Sequence, residues 1–229
     1  MTADRTPPRL RIAIDGPAAS GKGTVARGLA AALGYTYVDT GTLYRTLALL
    51  ARREGVSLSD EASLAQLAAT LPVRLLWDGH RLQVLLGEEN ISEAIRTEEA
   101  GQDASAVAAL PRVRAALLGL QQRLGAAGGV VMDGRDIGSV VMPGAELKVY
   151  LDASLAERAR RRLLELRARG LEAESETILR EVAARDAQDS QRAVAPLQVL
   201  PDSWRLDTTG MSPAEVLACV VAEARRRGA

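Results

Sequence analysis

One segment of the chain has the residue types and spacing of a phosphate cradle: Gly16-Pro17-Ala18-Ala19-Ser20-Gly21-Lys22-Gly23-Thr24. It follows the apolar run Leu10 to Asp15 and opens a helical pattern over Lys22 to Leu33. A glycine-rich turn from strand to helix aims backbone N–H groups and the positive end of a helix at one point, and phosphate oxygens satisfy both. Lys22 then reaches the β- and γ-phosphates of a nucleoside triphosphate, with the Thr24 hydroxyl near those phosphates and their metal. Lys22 and Lys148 are the only lysines in a chain that otherwise uses arginine for its positive charge, so a lysine kept here has a reason. Gly23 stands between Lys22 and the hydroxyl of Thr24, which implies a metal held mainly through water and phosphate oxygens rather than by a hydroxyl next to the lysine.

A phosphate cradle says only that a triphosphate is bound, so any acceptor has to be read elsewhere. The guanine-reading pattern Asn-Lys-x-Asp is absent. Arginines stand near strand ends instead: Arg45 in Asp39-Thr40-Gly-Thr-Leu-Tyr44-Arg45, Arg114 in Pro-Arg-Val-Arg, Arg135 in Asp133-Gly-Arg135-Asp136, and Arg185 and Arg192 in Arg-Asp-Ala-Gln-Asp189-Ser-Gln-Arg192. Taken singly, each reads more readily as a solvated surface charge. Carboxylates beside Arg45, Arg135 and Asp136 at the C-terminal edge of expected strands favour a site, because ligands of open α/β sheets bind at that edge. Asp133, closing an apolar run, is a Walker-B-like candidate for the metal's water shell or a structural cap on the turn that follows.

Short apolar runs that alternate with longer helical patterns must position these residues, and that alternation is the sequence form of a parallel sheet with helices on its faces. Strands are expected at Leu10 to Asp15, Tyr35 to Asp39, Val130 to Asp133, Lys148 to Leu151 and Trp204 to Asp207. Helices are expected at Lys22 to Leu33, Thr42 to Arg53, Asp60 to Thr70, Pro111 to Ala126, Ser154 to Arg169, Glu176 to Gln191 and Ser212 to Arg227. Pro111 and Ser212-Pro213 are helix-start signals. Val73 to Glu99 breaks the rhythm: it alternates like strands and holds the hairpin signal Asp78-Gly79. A small antiparallel insertion is expected there, flanked by Leu71-Pro72 and Glu98-Glu99.

Composition limits the remaining choices. A length of 229 residues with 47% hydrophobic content fits one α/β domain with room for a sizeable core. The formal net charge is zero, so no overall field favours a nucleic acid or an anionic membrane, and anions must be held by local clusters. Cys219 is the only cysteine and falls in an apolar helical pattern, where a buried core residue is expected and neither a disulfide nor a thiolate metal site is available. The single histidine, His80, falls in the hairpin and is expected at the surface. Met1 to Arg9 lacks an apolar h-region and no run of about 18 apolar residues occurs. A soluble, cytoplasmic protein is expected, and a monomer, since no heptads appear.

At IDGPAASGKGT, DTGTLYR, DGRDIGSVVMP and RDAQDSQRAVAPL the chain resembles the bacterial cytidylate kinases, nearly end to end. The resemblance implies a five-stranded parallel sheet flanked by helices, with an antiparallel β insertion at 73–102 on the monophosphate side and a helical lid at 158–185, in a single kinase domain over 1–229. It implies ATP and CMP or dCMP as substrates, with Mg2+. It also implies that Arg45, Arg135 and Arg192 bind the CMP phosphate, that Ser105, Arg114 and Asp136 read cytosine, and that Arg185 and Asp189 hold the ribose, with Asp39, Thr40 and Tyr44 lining the same side. Thr40 keeps the hydroxyl of the family's frequent Ser. Arg158, Arg161 and Arg162 look like lid arginines that close on ATP phosphates, or else form a solvated basic helix face. A phosphate monoester is largely dianionic near neutral pH, so no general base is needed, in keeping with the absence of any Ser-His-Asp or Cys-His arrangement. The alternatives are a UMP-preferring or dual-specificity enzyme, against which Asp136 argues, and a P-loop switch that acts through a partner.

Overall fold

The computed structural model describes residues 9–229. Five parallel strands form the main sheet in the order β2-β6-β1-β7-β8: β1 (Arg11–Asp15), β2 (Thr36–Asp39), β6 (Val130–Gly134), β7 (Leu147–Asp152) and β8 (Trp204–Asp207). The centre of the sheet is apolar on both faces, with Ile12, Ala13 and Ile14 fully buried, as helices covering both faces demand. Helices α1 (Lys22–Leu33) and α8 (Pro213–Arg226) pack Val25, Leu29, Val216 and Val220 into one core with β1 and β7. On the other side α2 (Thr40–Arg53), α3 (Glu61–Ala69) and α5 (Pro111–Gly125) gather Leu43, Leu47, Leu64, Val113 and Leu117. Pro111 starts α5, and Ser212 and Glu215 cap α8 reciprocally, as those signals lead one to expect.

The alternating stretch after α3 forms a separate antiparallel sheet of β3 (Val73–Trp77), β4 (Leu82–Leu86) and β5 (Glu89–Asn90), turning at Asp78-Gly79 with Gly79 at φ 96. The insertion is not loosely hung: Leu82, Val84, Ile91 and Ile95 share a core with Tyr37. Beyond a 3₁₀ turn at Ala94–Arg96, the chain enters α4 (Glu98–Ala108), a helix missing from the sequence reading. Thr97 caps it by accepting from the Ala100 N–H, and Glu98-Glu99 lie in its first turn, where acidic residues suit the helix dipole. Two helices complete the fold, α6 (Leu155–Ala168) and α7 (Ser175–Gln191), joined by a small core of Ala159, Leu166, Ile178 and Val182 that also takes in Ala18. Among the described residues no helix is long and apolar enough to cross a membrane.

Cys219 corrects one expectation. It is exposed, because the buried stripe of α8 runs through Val216, Val220 and Ala224, at intervals of four, and Cys219 lies one position, about 100° of helix, off that stripe.

Candidate active site

All five parallel strands carry an aspartate at or beside their C-terminal end: Asp15, Asp39, Asp133, Asp152 and Asp207. Parallel pairing brings three of these together, since Asp39 is level with Asp133 and Asp15 with Gly134. Above this edge opens a cavity of about 980 Å³. Its wall carries eleven Lys and Arg side chains against eight Asp and Glu, so a site in a chain of zero net charge is locally cationic and suited to polyanions.

The loop from Gly16 to Gly21 lies between β1 and α1 as expected. A Cβ at Gly16 would stand 2.2 Å from the Leu151 carbonyl oxygen, so only glycine lets this strand end pass beneath β7. Gly21, at φ 87, is the N-cap of α1 and has no side chain to satisfy the helix's first N–H groups, which leaves them for a ligand. Lys22 is buried and its Nζ donates to the Pro17 carbonyl at 3.1 Å. Burial first, and Arg135 next, lower its pKa to about 7 against the pull of Asp133 and Asp189. Thr24 is exposed toward the cavity.

Opposite this loop the arginines and carboxylates form a nearly continuous chain. Asp136 is buried and accepts from Arg114 at 2.5 Å and from Arg192 at 3.4 Å. Arg192 lies 3.8 Å from Asp189, which accepts from Arg135 Nε at 2.6 Å. Arg45 pairs with Asp39 at 3.1 Å; burial pushes the Asp39 carboxyl up, but Arg45 holds it below its ordinary value. Arg185 makes no salt bridge among the described residues and its buried Nε has no partner there, while burial, then Arg135, bring its pKa down to about 10. Ser105, on α4, donates to Gln188 Oε1 at 3.0 Å while Gln188 Nε2 donates to the Ser105 carbonyl at 3.1 Å. Tyr44 lines the wall with Arg114 over its ring at 5.7 Å, and the Thr40 hydroxyl donates to the Asp133 carbonyl at 2.9 Å.

The cavity therefore brings together Ala18, Ala19 and Gly21 to Thr24 on one side and Asp39, Thr40, Tyr44, Arg45, Ser105, Arg114, Asp133, Arg135, Asp136, Arg185, Asp189 and Arg192 on the other. Of Arg158, Arg161 and Arg162 on α6, Arg162 alone lines it, paired with Glu98 and Glu165. Arg158 and Arg161 lie behind the loop, bonded to its carbonyl oxygens at Ala18 and Ser20. Arg158 is buried there, so a solvated basic face does not describe it.

Two residues that support the site escaped sequence reading. The Tyr37 hydroxyl donates to Asp133 Oδ1 at 2.9 Å, and the ring packs edge-on to Trp77 of the insertion with centroids 5.5 Å apart. Burial and the nearby Asp39 raise the Asp133 pKa to about 7, against Lys22 and this hydroxyl. Asp15 accepts from the Ile137 and Gly138 N–H groups, both at 2.8 Å, and so supports the π-helical turn Ile137–Val141 that follows Arg135-Asp136. Burial drives its pKa up to about 6 although both N–H groups oppose the rise. Two buried amide donors lose their acceptor in Asp15→Ala, so the variant should be about 2–4 kcal/mol less stable, read as a lower midpoint of urea unfolding. The signal for Asp15 was a charge ending an apolar strand; Tyr37 had none.

A Gly-rich loop feeding an uncapped helix, at the C-terminal edge of a parallel sheet and facing a wall of arginines, is the arrangement of a P-loop phosphotransferase. A sequence model of the family described as cytidylate kinase matches residues 12–226. The chain belongs to the cytidylate kinase family. It is 50% identical over 218 residues to a cytidylate kinase of Stutzerimonas stutzeri (strain A1501), covering 94% of this chain and 95% of that one. It is 49% identical over 204 residues to one of Streptococcus suis (strain 05ZYH33), covering 89% and 91%. The family's reaction is the ATP-dependent phosphorylation of CMP or dCMP.

Proposed function

We propose that this cavity performs the family's reaction by direct in-line transfer, with ATP on the Gly16–Thr24 loop and CMP or dCMP against the arginine wall. The observation that carries this reading is the chain of guanidinium and carboxylate groups facing Lys22 across one cavity. Each of Arg45, Arg135 and Arg192 forms a salt bridge with an aspartate of the site. A phosphate dianion offers the same forks a stronger acceptor, so the acceptor phosphate binds by exchanging carboxylates for phosphate oxygens. The released Asp189, with Arg185, then meets the ribose hydroxyls, and Asp136, Arg114 and Ser105 meet the base. No proton has to be abstracted from a dianionic acceptor. The barrier is the repulsion between two polyanions, which Lys22 and the arginines offset in a water-poor site.

Mg2+ fits the donors present. Asp133 Oδ2 has no hydrogen-bond partner among the described residues, while Oδ1 takes the Tyr37 hydroxyl, and Thr24 adds a free hydroxyl. Among the described residues no group of three or more His, Cys, Asp or Glu is set to cage an ion, as suits a hard cation that keeps its waters. Thr24 and Asp133 would hold that water shell, and the ion when bound neutralises charge on the phosphate oxygens. The insertion at 73–102 and the 158–185 region would close on the two substrates and keep water out. We read the enzyme as a cytoplasmic monomer that uses small-molecule substrates only.

A coupled ADP-release assay with each nucleoside monophosphate in turn tests the reading: CMP and dCMP should support turnover, with UMP at least about tenfold poorer in kcat/KM. ADP release indifferent to CMP would favour a switch instead. Arg135→Ala and Arg192→Ala should each raise the CMP KM and lower kcat by about tenfold or more, because a phosphate clamp both binds and aligns. Should either variant change the ATP parameters alone, donor and acceptor sides would be exchanged.

A further inference from the structure

Ala18 is held by the α6–α7 pair through its N–H, its carbonyl and its methyl group. Its N–H donates to Asp186 Oδ1 at 3.1 Å, and its carbonyl accepts from Arg158 Nη1 at 3.0 Å. Those two side chains are themselves an ion pair, Arg158 Nη1 to Asp186 Oδ2 at 2.5 Å, and Arg158 Nε is anchored to the Ala153 carbonyl at 2.9 Å. The methyl group of Ala18 is buried in the core that joins α6 to α7. One step along, Arg161 Nη1 donates to the Ser20 carbonyl at 3.2 Å.

The residue between these two anchors is strained. Ala19 has φ 56, in the left-handed region that costs any residue with a Cβ and persists only where the surroundings over-determine it. Without its anchors the loop would relax toward ordinary backbone angles, and the N–H groups at the start of α1 would lose their common aim.

We propose that Asp186 and Arg158 are positioning residues for the triphosphate: as one ion pair they hold both polar groups of Ala18 and lock the Ala18-Ala19 turn in its phosphate-receiving shape. The pair acts through the backbone and touches no substrate. This rests on reading Gly16–Thr24 as the ATP site. It also gives Arg158 a different task from a lid arginine that travels onto the phosphates, and the two tasks predict opposite results. If Asp186 merely parks a mobile Arg158, removing the carboxylate frees the guanidinium and strengthens ATP binding.

The test measures ATP affinity by calorimetry without CMP, together with KM for each substrate, in Asp186→Ala and Asp186→Asn. Loss of the anchor should weaken ATP by about tenfold or more in Asp186→Ala while the CMP KM stays within about twofold. Asp186→Asn keeps an oxygen for the Ala18 N–H but loses the charge, so it should fall between Asp186→Ala and wild type; being isosteric, it serves alone if the alanine variant does not fold. Ala19→Gly placed in the Asp186→Ala background should recover part of the ATP affinity, since glycine adopts positive φ at no steric cost. Tighter or unchanged ATP binding in the Asp186 variants overturns the proposal. So does equal weakening of ATP and CMP in step with a fall in melting temperature, the mark of a general structural role. An inert Lys22→Ala would instead remove the ATP-site reading itself, whereas a crippled Lys22→Ala beside an inert Asp186→Ala removes only the positioning role.

Discussion

Lys22→Ala should lower kcat by about a hundredfold or more, some 2.7 kcal/mol or more of barrier, while the protein stays folded. The ammonium is buried, and among the described residues its one hydrogen bond is to the Pro17 carbonyl, an acceptor any phosphate oxygen outcompetes. Removing it takes a desolvated cation out of the interior without opening the apolar core, so the melting temperature should hold or rise. A variant that keeps more than about a tenth of wild-type kcat would show that the charge on the transferring group is met elsewhere.

The same burial sets a pH dependence with a definite sign. Burial first, and Arg135 next, push the Lys22 pKa down to about 7, with Asp133 and Asp189 opposing and Arg185 adding to the fall. ATP phosphates favour the charged form and raise that pKa, so the complex binds more protons than the free enzyme between the two values. ATP affinity should therefore weaken as pH rises above about 7. At pH 8, calorimetry in buffers of differing ionisation enthalpy should show uptake of up to about one proton per ATP. Lys22→Ala should abolish the uptake.

Local pattern carried most of the fold. The buried runs ending in Asp15, Asp39 and Asp133, the Gly16–Thr24 turn and the Asp78-Gly79 hairpin each declare themselves over a few residues, because backbone geometry and burial act on neighbours. α4 did not, since Thr97-Glu98-Glu99 reads equally as the acidic flank of a hairpin and Gly101 and Asp103 dilute the helical period. The loss matters to the site, as α4 carries Ser105 and meets α7 through Gln188. Contacts across long sequence separations were also out of reach. Asp15 reaches Ile137 over 122 residues, and Arg158 reaches Ala18 over 140. A basic helix face shows that arginines are present on α6, but whether they meet phosphate or the loop that holds phosphate is decided only by packing.

Asp136→Asn should lower CMP activity and narrow the preference for CMP over UMP, which in the wild type should be at least about tenfold in kcat/KM. The carboxylate is buried and already serves two guanidiniums, Arg114 at 2.5 Å and Arg192 at 3.4 Å. Two cations fix its orientation, and a carboxylate facing two guanidiniums serves only as an acceptor. Cytosine offers its exocyclic amino group as a donor. Uracil presents a carbonyl oxygen at the same place, lone pair against lone pair, so it is rejected by repulsion as well as by a missing bond. An asparagine amide donates as readily as it accepts, which removes the repulsion while weakening the pairing with both arginines. CMP therefore loses twice, through a poorer contact to its base and through an Arg192 less firmly held beside the phosphate. UMP loses only the second. Measuring kcat/KM for both nucleotides in both proteins separates these effects: a fall shared equally, with the ratio unchanged, would mean that Asp136 serves only to orient Arg114 and Arg192, leaving the choice of base to Ser105 and Arg114.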